Sequence, residues 1–568
     1  MKNTPTYLAF NQSGQMGLKV LEELKEECKH PLELNTELLL QIVKDNKDTE
    51  YGKKYHFEDI HSIEDYRKNV PVITYEDIAE YLERMMNGEK NVLIAYPFDH
   101  MNETSGTIGA PKVVPMSDKQ SDVFSRYNYL LNMGLYEKYL PEKWKEGRAF
   151  CTASGNYRKL PSGITVGEAS SKAAEMLKGG AEEFDAMIRT MFTSPIEGLN
   201  PVPGTDSKYI HARFALMDRD VRGIVTGFYS VAVLYLQYIY DNYKMLIDDI
   251  EKGTIDESID ITPETRESLL KKITPMPERA AELREAFKDG PDQYIPRVWP
   301  EMTYIFGVGG DGFSIYDKTI RERYSADTLT NFFGGITASE GLWSVPFEPE
   351  NPNSVLCVKG AFLEFLPEEA GDDFTQVKSI NELEEGKIYE LIVTNLGGFY
   401  RYRMSDCVQV TGFYENTPCV QFTYRRNRTI NLAEEKTTEK ALQVAVEATA
   451  KELGFALADF SVYPDGEATP SKYVFLVEPR SDVRNVTREQ LRESLLRQLS
   501  IANPVFWECY EDHWLDLEAW FLQPETSLLY RDMMVRKGAS LNQLKPVRVI
   551  MNEKQRKFFF ALIDKAVK

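Results

Sequence analysis

The stretch TSGTIGAPK, Thr104 to Lys112, combines three hydroxyl side chains, two glycines and a lysine within nine residues. Glycines let backbone N–H groups approach an anion, hydroxyls add hydrogen-bond donors, and lysine supplies positive charge. A Walker loop is excluded, because Pro111 stands where its second glycine belongs and Val113 where its hydroxyl belongs. The stretch therefore predicts a loop that holds nucleotide phosphates, and the alternative is an ordinary surface turn.

A second stretch places a carboxylate just after a strand-like run. ITASEG, Ile336 to Gly341, follows TLTNFFGG and contains Glu340. Mg²⁺ prefers oxygen ligands and commonly joins one or two carboxylates to substrate phosphates. We therefore expect Glu340 to bind Mg²⁺ beside a triphosphate.

A third stretch, GFYRYRMSDCVQV from Gly398 to Val410, carries two arginines and an aspartate. In a strand, Arg401 and Arg403 would project to the same face. An arginine can bind a phosphate through two parallel hydrogen bonds, and Asp406 can accept two bonds from ribose hydroxyls. Each residue alone could belong to a structural ion pair, but the order of the three motifs favours a nucleotide site.

The bulk composition limits the class of protein. The 568 residues include 88 acidic and 67 basic side chains, a formal net charge of −21, which argues against a nucleic acid or an anionic membrane as partner. The first residues lack a signal peptide's apolar run, so we expect a cytoplasmic location. The six cysteines show no CxxC spacing, which indicates free thiols without a zinc site. The uncharged run from Gly223 to Tyr240 predicts a buried helix rather than a membrane span.

The order of elements predicts α/β layers, because short β-rich runs alternate with helical ones over the first four hundred residues. Strands are expected at Val92–Asp99, Arg148–Gly155, Ser354–Pro367 and Ile388–Leu396. After the basic cluster FTYRRN the pattern becomes α+β. A helix at Thr438–Leu453 is followed by two strands joined by a turn at Pro464–Ser471, and then by a second helix at Thr487–Leu499. We predict two domains, residues 1–422 and 423–568.

One further glycine pattern suggests a different ligand. GVGGDG, Gly307 to Gly312, fits GxGxxG after an apolar run, and Asp327 follows about twenty residues later. Nothing else in the chain supports a dinucleotide cofactor, so we interpret this segment as a glycine turn between a strand and a helix that lines a pocket.

Together, the motifs resemble those of one superfamily. The chain is similar to the adenylate-forming acyl-CoA synthetases, adenylation domains and luciferases, and within them to the Gretchen Hagen 3 acyl acid amido synthetases, in a bacterial form. TSGTIGAPK resembles SSGTS-x-G-x-x-K, ITASE resembles Y-x-S-S-E, and GFYRYRMSD resembles GLYRYRxGD. VPVITYEDIAEYLERMMNGE, AFLEFLP, LAEEKTTE and SLNQLKPVR also fit, so the resemblance covers nearly the whole chain.

The resemblance implies a ligase that uses ATP and Mg²⁺. A small carboxylic acid and ATP would give an acyl adenylate and pyrophosphate, and the amine of an amino acid would then displace AMP. Residues 1–422 would bind ATP and the acid, and residues 423–568 would form a mobile domain on a hinge. No obligate protein partner is implied. The run from Gly223 to Tyr240 and the turn after Ile305 are expected to line the acid pocket, which favours an aryl or alkyl acid.

The same resemblance implies roles for individual residues. The phosphates would be held by Thr104, Ser105, Gly106, Thr107 and Lys112. The α-phosphate and magnesium would lie at Ser339 and Glu340, the ribose at Asp406, and a contact near the hinge at Arg425. Lys545, in NQLKPVR, would approach the acyl carboxylate and α-phosphate and stabilise the charge that develops, with Lys436 as a second candidate.

This sequence departs from the family pattern at several positions. Ile336 replaces an aromatic residue that faces adenine, Ser405 replaces glycine, Cys407 replaces valine, and Val547 interrupts the usual KTPR. Two alternatives therefore stay open. The protein could be an acyl-CoA synthetase that transfers to coenzyme A, or a nucleotide-binding protein without catalysis.

Overall fold

The computed structural model describes residues 4–104, 112–155, 157–167, 181–202, 205–310, 313–426, 429–433, 435–539, 541 and 544–567. The chain divides into two compact units. The larger unit contains residues 1–309, 320–404 and 408–422, and the second unit contains residues 310–319, 405–407 and 423–568. Two short earlier segments are thus counted with the C-terminal part of the chain.

Helices begin where the sequence supplies caps. Thr4, Ser62, Ser117 and Thr438 each accept a backbone N–H from the first turn of the helix that follows. The α-helices are Pro5–Glu27, Pro31–Asn46, Glu50–Lys54, Ile63–Asn69, Ala79–Met86, Asp118–Val123, Leu131–Tyr139, Ala181–Met191, Ile196–Leu199, Ser207–Met217, Tyr229–Lys252, Pro263–Leu270, Pro277–Ala286, Ile295–Val298, Ser314–Thr319, Glu439–Leu453, Arg488–Ala502, Pro504–Glu511, Thr526–Arg536 and Glu553–Ala561. Two π-helical segments are Phe124–Leu130 and Ile320–Ser325.

Nineteen strands lie within the described residues. They are β1 Phe98–Glu103, β2 Val113–Ser117, β3 Arg148–Cys151, β4 Tyr157–Lys159, β5 Thr165–Gly167, β6 Val221–Phe228, β7 Tyr304–Val308, β8 Thr330–Phe333, β9 Thr337–Ala338, β10 Gly341–Leu342, β11 Ser344–Val345, β12 Ser354–Leu356, β13 Phe362–Pro367, β14 Ile388–Thr394, β15 Tyr402–Tyr414, β16 Thr417–Arg425, β17 Leu457–Asp465, β18 Ser471–Pro479 and β19 Leu515–Phe521.

The larger unit is built on three main sheets. The sheet β3-β6-β7-β8 is parallel throughout, and the long helix Tyr229–Lys252 lies in the connection between β6 and β7. Such crossovers are typical of α/β layers. A second sheet has the order β2-β1-β5-β4, and a third has the order β11-β12-β16-β15-β14-β13. The short hairpin β9–β10 completes the set.

The second unit has its own sheet and core. β17 and β18 pair antiparallel, and β18 and β19 pair parallel. The helices Glu439–Leu453 and Arg488–Ala502 pack against each other, and apolar side chains from both helices and the sheet form one buried cluster. This arrangement has the α+β character that the sequence predicts for this part of the chain.

Several local predictions are confirmed and three are corrected. β3, β14, β17, β18 and the helices beginning near residues 439 and 488 lie where expected, and all six cysteines are free thiols. The expected strand Val92–Asp99 begins only at Phe98, and Ser354–Pro367 forms two strands instead of one.

The run from Gly223 to Tyr240 is not a single helix. Its first part continues β6 as far as Phe228, and the helix begins at Tyr229. Hydrophobicity alone cannot separate a buried parallel strand from a buried helix. Gly223 is required in the strand, because a Cβ there would lie 2.2 Å from the Tyr304 ring. No helix among the described residues combines the length and the apolar character that crossing a membrane requires.

Candidate active site

The first motif connects β1 to β2, which pair antiparallel with Glu103 opposite Val113. The ends of the connection are fastened to each other. Thr104 N–H donates to the Lys112 carbonyl at 2.8 Å, and Lys112 N–H donates to Thr104 Oγ1 at 3.0 Å. These two bonds close the neck of the loop. The predicted phosphate ligands Ser105, Gly106 and Thr107 lie outside the described residues.

Lys112 is directed toward two tyrosines rather than toward an acid. Its Nζ donates to the Tyr402 hydroxyl at 3.3 Å and lies 5.0 Å from the centre of the Tyr75 ring. Among the residues that the structure describes, no carboxylate forms an ion pair with this amine. Because no described carboxylate pairs with it, this amine can pair with an anionic ligand.

The second motif forms the tight turn of a hairpin. β9 pairs with β10 so that Ala338 is opposite Gly341, which leaves Ser339 and Glu340 as the two turn residues. Glu340 is buried, with 7% of its surface exposed, whereas Ser339 is half-buried. A two-residue turn presents both side chains on a short, well-defined backbone.

Three buried carboxamides hold the carbonyls of this turn. Asn102 Nδ2 donates to the Ser339 carbonyl at 2.8 Å. Gln120 Nε2 and Asn395 Nδ2 donate to the Glu340 carbonyl at 2.7 and 2.6 Å. Asn102 belongs to β1, immediately before the first-motif loop, and Asn395 lies just before the third motif. The turn is therefore connected to both other motifs within the larger unit.

The carboxylate of Glu340 lies close enough to Tyr75 to affect its titration. Burial raises the pKa of the Tyr75 phenol, its hydrogen bond from Val113 N–H lowers it, and the Glu340 charge raises it further. Tyr75 is thus a common neighbour of Lys112 and Glu340. The positive and the negative group that the sequence assigns to a magnesium–triphosphate site share one aromatic neighbour.

The third motif uses its arginines differently from the prediction. Arg401 has a left-handed backbone, with φ of 49°, and precedes β15 instead of lying in it. The same-face argument for Arg401 and Arg403 therefore does not apply. Arg401 Nε donates to buried Glu364 at 2.9 Å, and Arg403 donates to both oxygens of buried Glu390 at 2.7 and 3.0 Å. In this structure both arginines pair with carboxylates of neighbouring strands, and a phosphate contact by either of them stays a prediction.

Asp406 and Arg425, which the sequence assigns to the nucleotide, form an ion pair in the second unit. Arg425 Nε donates to Asp406 Oδ1 at 2.7 Å, and Nη2 donates to Oδ2 at 3.2 Å. Asp406 is largely buried, whereas about a third of the Arg425 side chain is exposed. This two-point geometry orients the aspartate and leaves part of the guanidinium exposed.

The structure shows the surroundings of three residues at which this sequence departs from the family pattern. Ser405 has a left-handed backbone, with φ of 62°, a conformation that glycine adopts most readily. Ile336 is half-buried and packs against the main core of the larger unit. Cys407 is fully buried. Nothing in the structure explains the exchange of valine for Cys407.

The two predicted catalytic lysines both lie in the second unit. Lys545 is exposed and lines the rim of a cavity of about 20 Å³, together with Asp459, Glu478 and Arg531. Lys436 is also exposed and has a left-handed backbone, with φ of 44°.

Sequence reasoning identified the motifs but missed the residues that join them. Tyr75, Tyr402 and the carboxamides of Asn102, Gln120 and Asn395 contribute contacts that no motif indicates. One signal was present in the sequence. Asn395 interrupts the apolar run YELIVTNL two residues before Gly397, and a carboxamide at the end of a buried strand needs partners.

The domain content of the chain decides its family. Residues 20–329 match the GH3 family N-terminal domain, residues 354–425 the GH3 family central domain, and residues 440–554 the GH3 family C-terminal domain. The chain belongs to the GH3 family. The resemblance to the Gretchen Hagen 3 enzymes is therefore confirmed.

Known GH3 proteins match almost the whole chain. The 4-substituted benzoates-glutamate ligase GH3.12 of Arabidopsis thaliana is 28% identical over 559 residues, covering 94% of this chain and 95% of the relative. The jasmonoyl-L-amino acid synthetase JAR6 of Nicotiana attenuata is 26% identical over 481 residues, 81% of each chain. Both names describe enzymes that conjugate an acid to an amino acid, so the predicted amido synthetase class is confirmed.

Solved structures confirm the fold class. A GH3.15 acyl acid amido synthetase superposes with a TM-score of 0.83 at 23% identity, covering 96% of both chains. A 2-hydroxyisobutyryl-CoA ligase superposes with a TM-score of 0.50 at 13% identity, covering 96% of this chain and 91% of the ligase. The α/β fold with a smaller C-terminal domain is therefore that of the adenylate-forming enzymes.

Proposed function

We propose that this GH3 protein adenylates an aryl or alkyl carboxylic acid with ATP and transfers the acyl group to the amine of an amino acid. In the first step a carboxylate oxygen attacks the α-phosphorus, and the bond to pyrophosphate breaks. In the second step the amine attacks the acyl carbon, the bond to AMP breaks, and the amine loses a proton. The acyl adenylate makes the second step feasible because AMP is a far better leaving group than oxide.

One observation carries this proposal. Within the larger unit, Asn102, two residues before the first motif, binds the Ser339 carbonyl of the second motif, and Lys112 of the first motif binds Tyr402 of the third. Three segments, the first of them more than two hundred residues from the other two, therefore meet in one unit. Lys112 lies over the Tyr75 ring, and the charge of Glu340 raises the pKa of the same phenol, which is consistent with one site for a magnesium nucleotide.

The proposed roles follow the chemistry of each group. The first-motif loop, with Thr104, Ser105, Gly106, Thr107 and Lys112, holds the phosphates. Glu340 is a hard oxygen ligand suited to Mg²⁺, and Ser339 lies at the α-phosphate. When bound, Mg²⁺ would neutralise charge on the phosphate oxygens.

The remaining roles belong to the second unit. Asp406 accepts hydrogen bonds from the ribose hydroxyls, and Arg425 both orients this aspartate and contacts the nucleotide. Lys545 stabilises the charge that develops when the carboxylate attacks, and Lys436 is a second candidate for this role. The C-terminal domain, residues 423–568, is proposed to move on a hinge so that these groups reach the nucleotide.

The acid is proposed to bind at the carboxyl ends of the parallel strands, where α/β sheets commonly bind ligands. Gly227 and Phe228 end β6 and are accessible, whereas Tyr229 and most of the following helix are buried. Of the run from Gly223 to Tyr240, we therefore propose only the residues at the end of β6 as lining of the acid pocket. Relatives act on 4-substituted benzoates and on indole-3-acetic acid by name, which supports an aromatic acid.

The test of adenylation is release of pyrophosphate. The protein is incubated with ATP, Mg²⁺ and a panel of benzoic, indole-acetic and alkyl acids. We expect pyrophosphate only when a suitable acid is present, and an Asp406→Ala variant should bind ATP more weakly. Tight ATP binding without pyrophosphate for any acid would support a nucleotide-binding protein without catalysis.

The acceptor is tested separately. With the best acid, the twenty amino acids and coenzyme A are each added, and the product is identified by mass spectrometry. We expect an amide with one or a few amino acids. A thioester with coenzyme A and no amide would make the protein an acyl-CoA synthetase instead.

A further inference from the structure

The hairpin turn that carries Glu340 is held by neutral side chains from three separate parts of the larger unit. Asn102 in β1 binds the Ser339 carbonyl at 2.8 Å. Gln120, in the helix after β2, and Asn395, after β14, bind the Glu340 carbonyl at 2.7 and 2.6 Å. We call these three side chains the carboxamide clamp. All three are at most 2% exposed.

The clamp also reaches the third motif. Asn395 Oδ1 accepts hydrogen bonds from Gly397 N–H at 2.9 Å and from Phe399 N–H at 3.0 Å. One carboxamide thus fixes the start of the third motif with its oxygen and the Glu340 carbonyl with its nitrogen. Gln120 lies in the first turn of the helix Asp118–Val123, and Ser117 caps this helix. Ser117 Oγ accepts the Gln120 N–H at 3.2 Å and donates to the Leu396 carbonyl at 2.8 Å.

Both turn carbonyls need donors because they point into buried surroundings. A buried carbonyl that loses its partner retains the cost of its desolvation, so the peptide tends to rotate toward another donor. Rotation of either peptide in a two-residue turn would redirect the side chain between them. Neutral donors prevent this rotation without adding charge next to Lys112 and Glu340.

We propose that the carboxamide clamp is a positioning device that sets where the Glu340 carboxylate lies and thereby sets the affinity for the magnesium nucleotide. The inference rests on the proposed function, in which Glu340 binds Mg²⁺. Groups that orient a metal ligand commonly change metal affinity or activity by about 10- to 100-fold when they are removed.

Two members of the clamp allow a selective test. Gln120 Oε1 and Asn102 Oδ1 accept no hydrogen bond from the residues that the structure describes. Gln120→Met therefore keeps the length of the side chain and removes one described side-chain bond, to the Glu340 carbonyl. Asn102→Leu does the same at the Ser339 carbonyl.

Asn35 provides a matched control in the same unit. It is 1% exposed, donates to the Val358 and Ala361 carbonyls at 2.7 Å each, and accepts Leu363 N–H at 3.1 Å. Asn35→Leu removes a buried carboxamide with three described backbone bonds, more than either clamp variant removes, and none of them is to the Glu340 turn. It should lower the melting temperature without changing how the protein responds to magnesium.

The experiment measures binding of α,β-methylene-ATP by calorimetry and acid-dependent pyrophosphate release, each over a series of Mg²⁺ concentrations. For Gln120→Met we expect the Mg²⁺ concentration at half-saturation to rise roughly tenfold. Asn35→Leu should stay within about twofold of the wild type. Asn102→Leu should shift in the same direction as Gln120→Met, and it carries the test if Gln120→Met does not fold.

The outcomes separate this inference from the proposed function. A folded Gln120→Met with wild-type magnesium dependence overturns the clamp, even if pyrophosphate release is normal. A shifted magnesium dependence of binding supports the clamp, even if no acid yields pyrophosphate and the ligase function fails. A wild-type protein that binds no magnesium nucleotide overturns both.

Discussion

In the larger unit, the Glu340 turn is held by neutral carboxamides that bind backbone carbonyls, whereas in the second unit a cluster near Lys545 buries charged side chains that bind one another. In the second unit Arg548 pairs with Asp459, and Tyr316 donates to Asp459 at 2.7 Å. Arg531 donates to the Tyr316 hydroxyl at 3.2 Å. Neutral bonds fix a backbone at all pH values, but a buried charge cluster depends on the protonation of its members.

This difference separates two physical tasks. Near Lys112 and Glu340, an additional buried charge would alter the field that a phosphate meets, so positioning by amides leaves that field unchanged. Near Lys545, the cluster lies under an exposed lysine that is proposed to act on developing charge. The comparison predicts that changes in the second unit alter stability and its pH dependence most, while changes around the motifs alter ligand affinity.

The largest effect is expected from breaking the buried pair. Asp459→Ala would leave the buried Arg548 without its carboxylate, which typically costs about 3–5 kcal/mol. The free energy of unfolding of the second unit should fall by this amount, measured by hydrogen exchange of the amides in β18. Asp482→Ala breaks the exposed pair with Arg484 and should leave the free energy of unfolding nearly unchanged, because solvent screens that pair. Equal effects would show that burial does not distinguish the two pairs.

A second prediction concerns Lys545 itself. Lys545→Ala should lower the rate of acid-dependent pyrophosphate release about 10²- to 10³-fold, because it removes charge stabilisation that is needed mainly in the transition state. ATP affinity should stay close to that of the wild type. Lys554→Ala, at an exposed position of the same unit, is the control and should keep full activity. An unchanged rate in Lys545→Ala would remove this residue from the mechanism.

The third prediction uses the pH dependence that the charged cluster implies. Burial, and next the charge of Asp459, raise the pKa of Glu478 from 4.5 to about 7, against the lowering effects of the Ser527 hydrogen bond and the Arg531 charge. The folded state therefore keeps a proton that the unfolded state releases. The contribution of Glu478 to stability is therefore greatest below about pH 4.5, and it falls by about 2–3 kcal/mol as the pH rises to 7.

Glu478→Gln should remove most of this decrease, because the neutral amide does not titrate. The free energy of unfolding of the second unit, measured at pH 5 and at pH 8, should differ less in the variant than in the wild type. At pH 8 the variant should be the more stable protein. Equal pH dependence in both proteins would show that Glu478 is ionised throughout this range.

The sequence predicted the fold class and the motifs, but not the partners that long-range folding supplies. Arg401 and Arg403 look like phosphate ligands in the sequence. Their partners Glu364 and Glu390 become visible only when β13, β14 and β15 lie side by side. The left-handed backbone at Arg401 also breaks the alternation on which the prediction relied.

The carboxamide clamp was equally hidden, because asparagine and glutamine are common surface residues and their role depends on burial. Asn102, Gln120 and Asn395 stand far apart in the chain, and each meets the hairpin turn from a different element. The prediction of one helix over the apolar run after Gly223 was wrong for another reason, because a buried parallel strand and a buried helix have the same composition. The chemical groups of each motif lie close together in the sequence and could be predicted. The residues that hold the motifs in place come from distant elements and could not.

The smallest effect is expected at Ser405, where the backbone conformation is left-handed with φ of 62°. A residue with a Cβ pays about 1–2 kcal/mol for this conformation, and glycine pays little. Glycine also makes the unfolded chain more flexible, which offsets about 0.4–1 kcal/mol of the gain. Ser405→Gly should therefore stabilise the protein by at most about 1 kcal/mol, Ser405→Ala should be close to neutral, and Ser405→Val should destabilise it because β-branching disfavours positive φ.

This series tests whether the departure from glycine is tolerated or used. If the three variants follow the order glycine, alanine, valine in unfolding free energy, only the backbone conformation at position 405 matters. If glycine and alanine both destabilise the protein by the same amount, the hydroxyl of Ser405 makes a contact that compensates for the strain. In that case a polar side chain next to Asp406 contributes to the second unit, as the charged cluster does, and adenylation rates of the same variants would show whether that contact reaches the nucleotide.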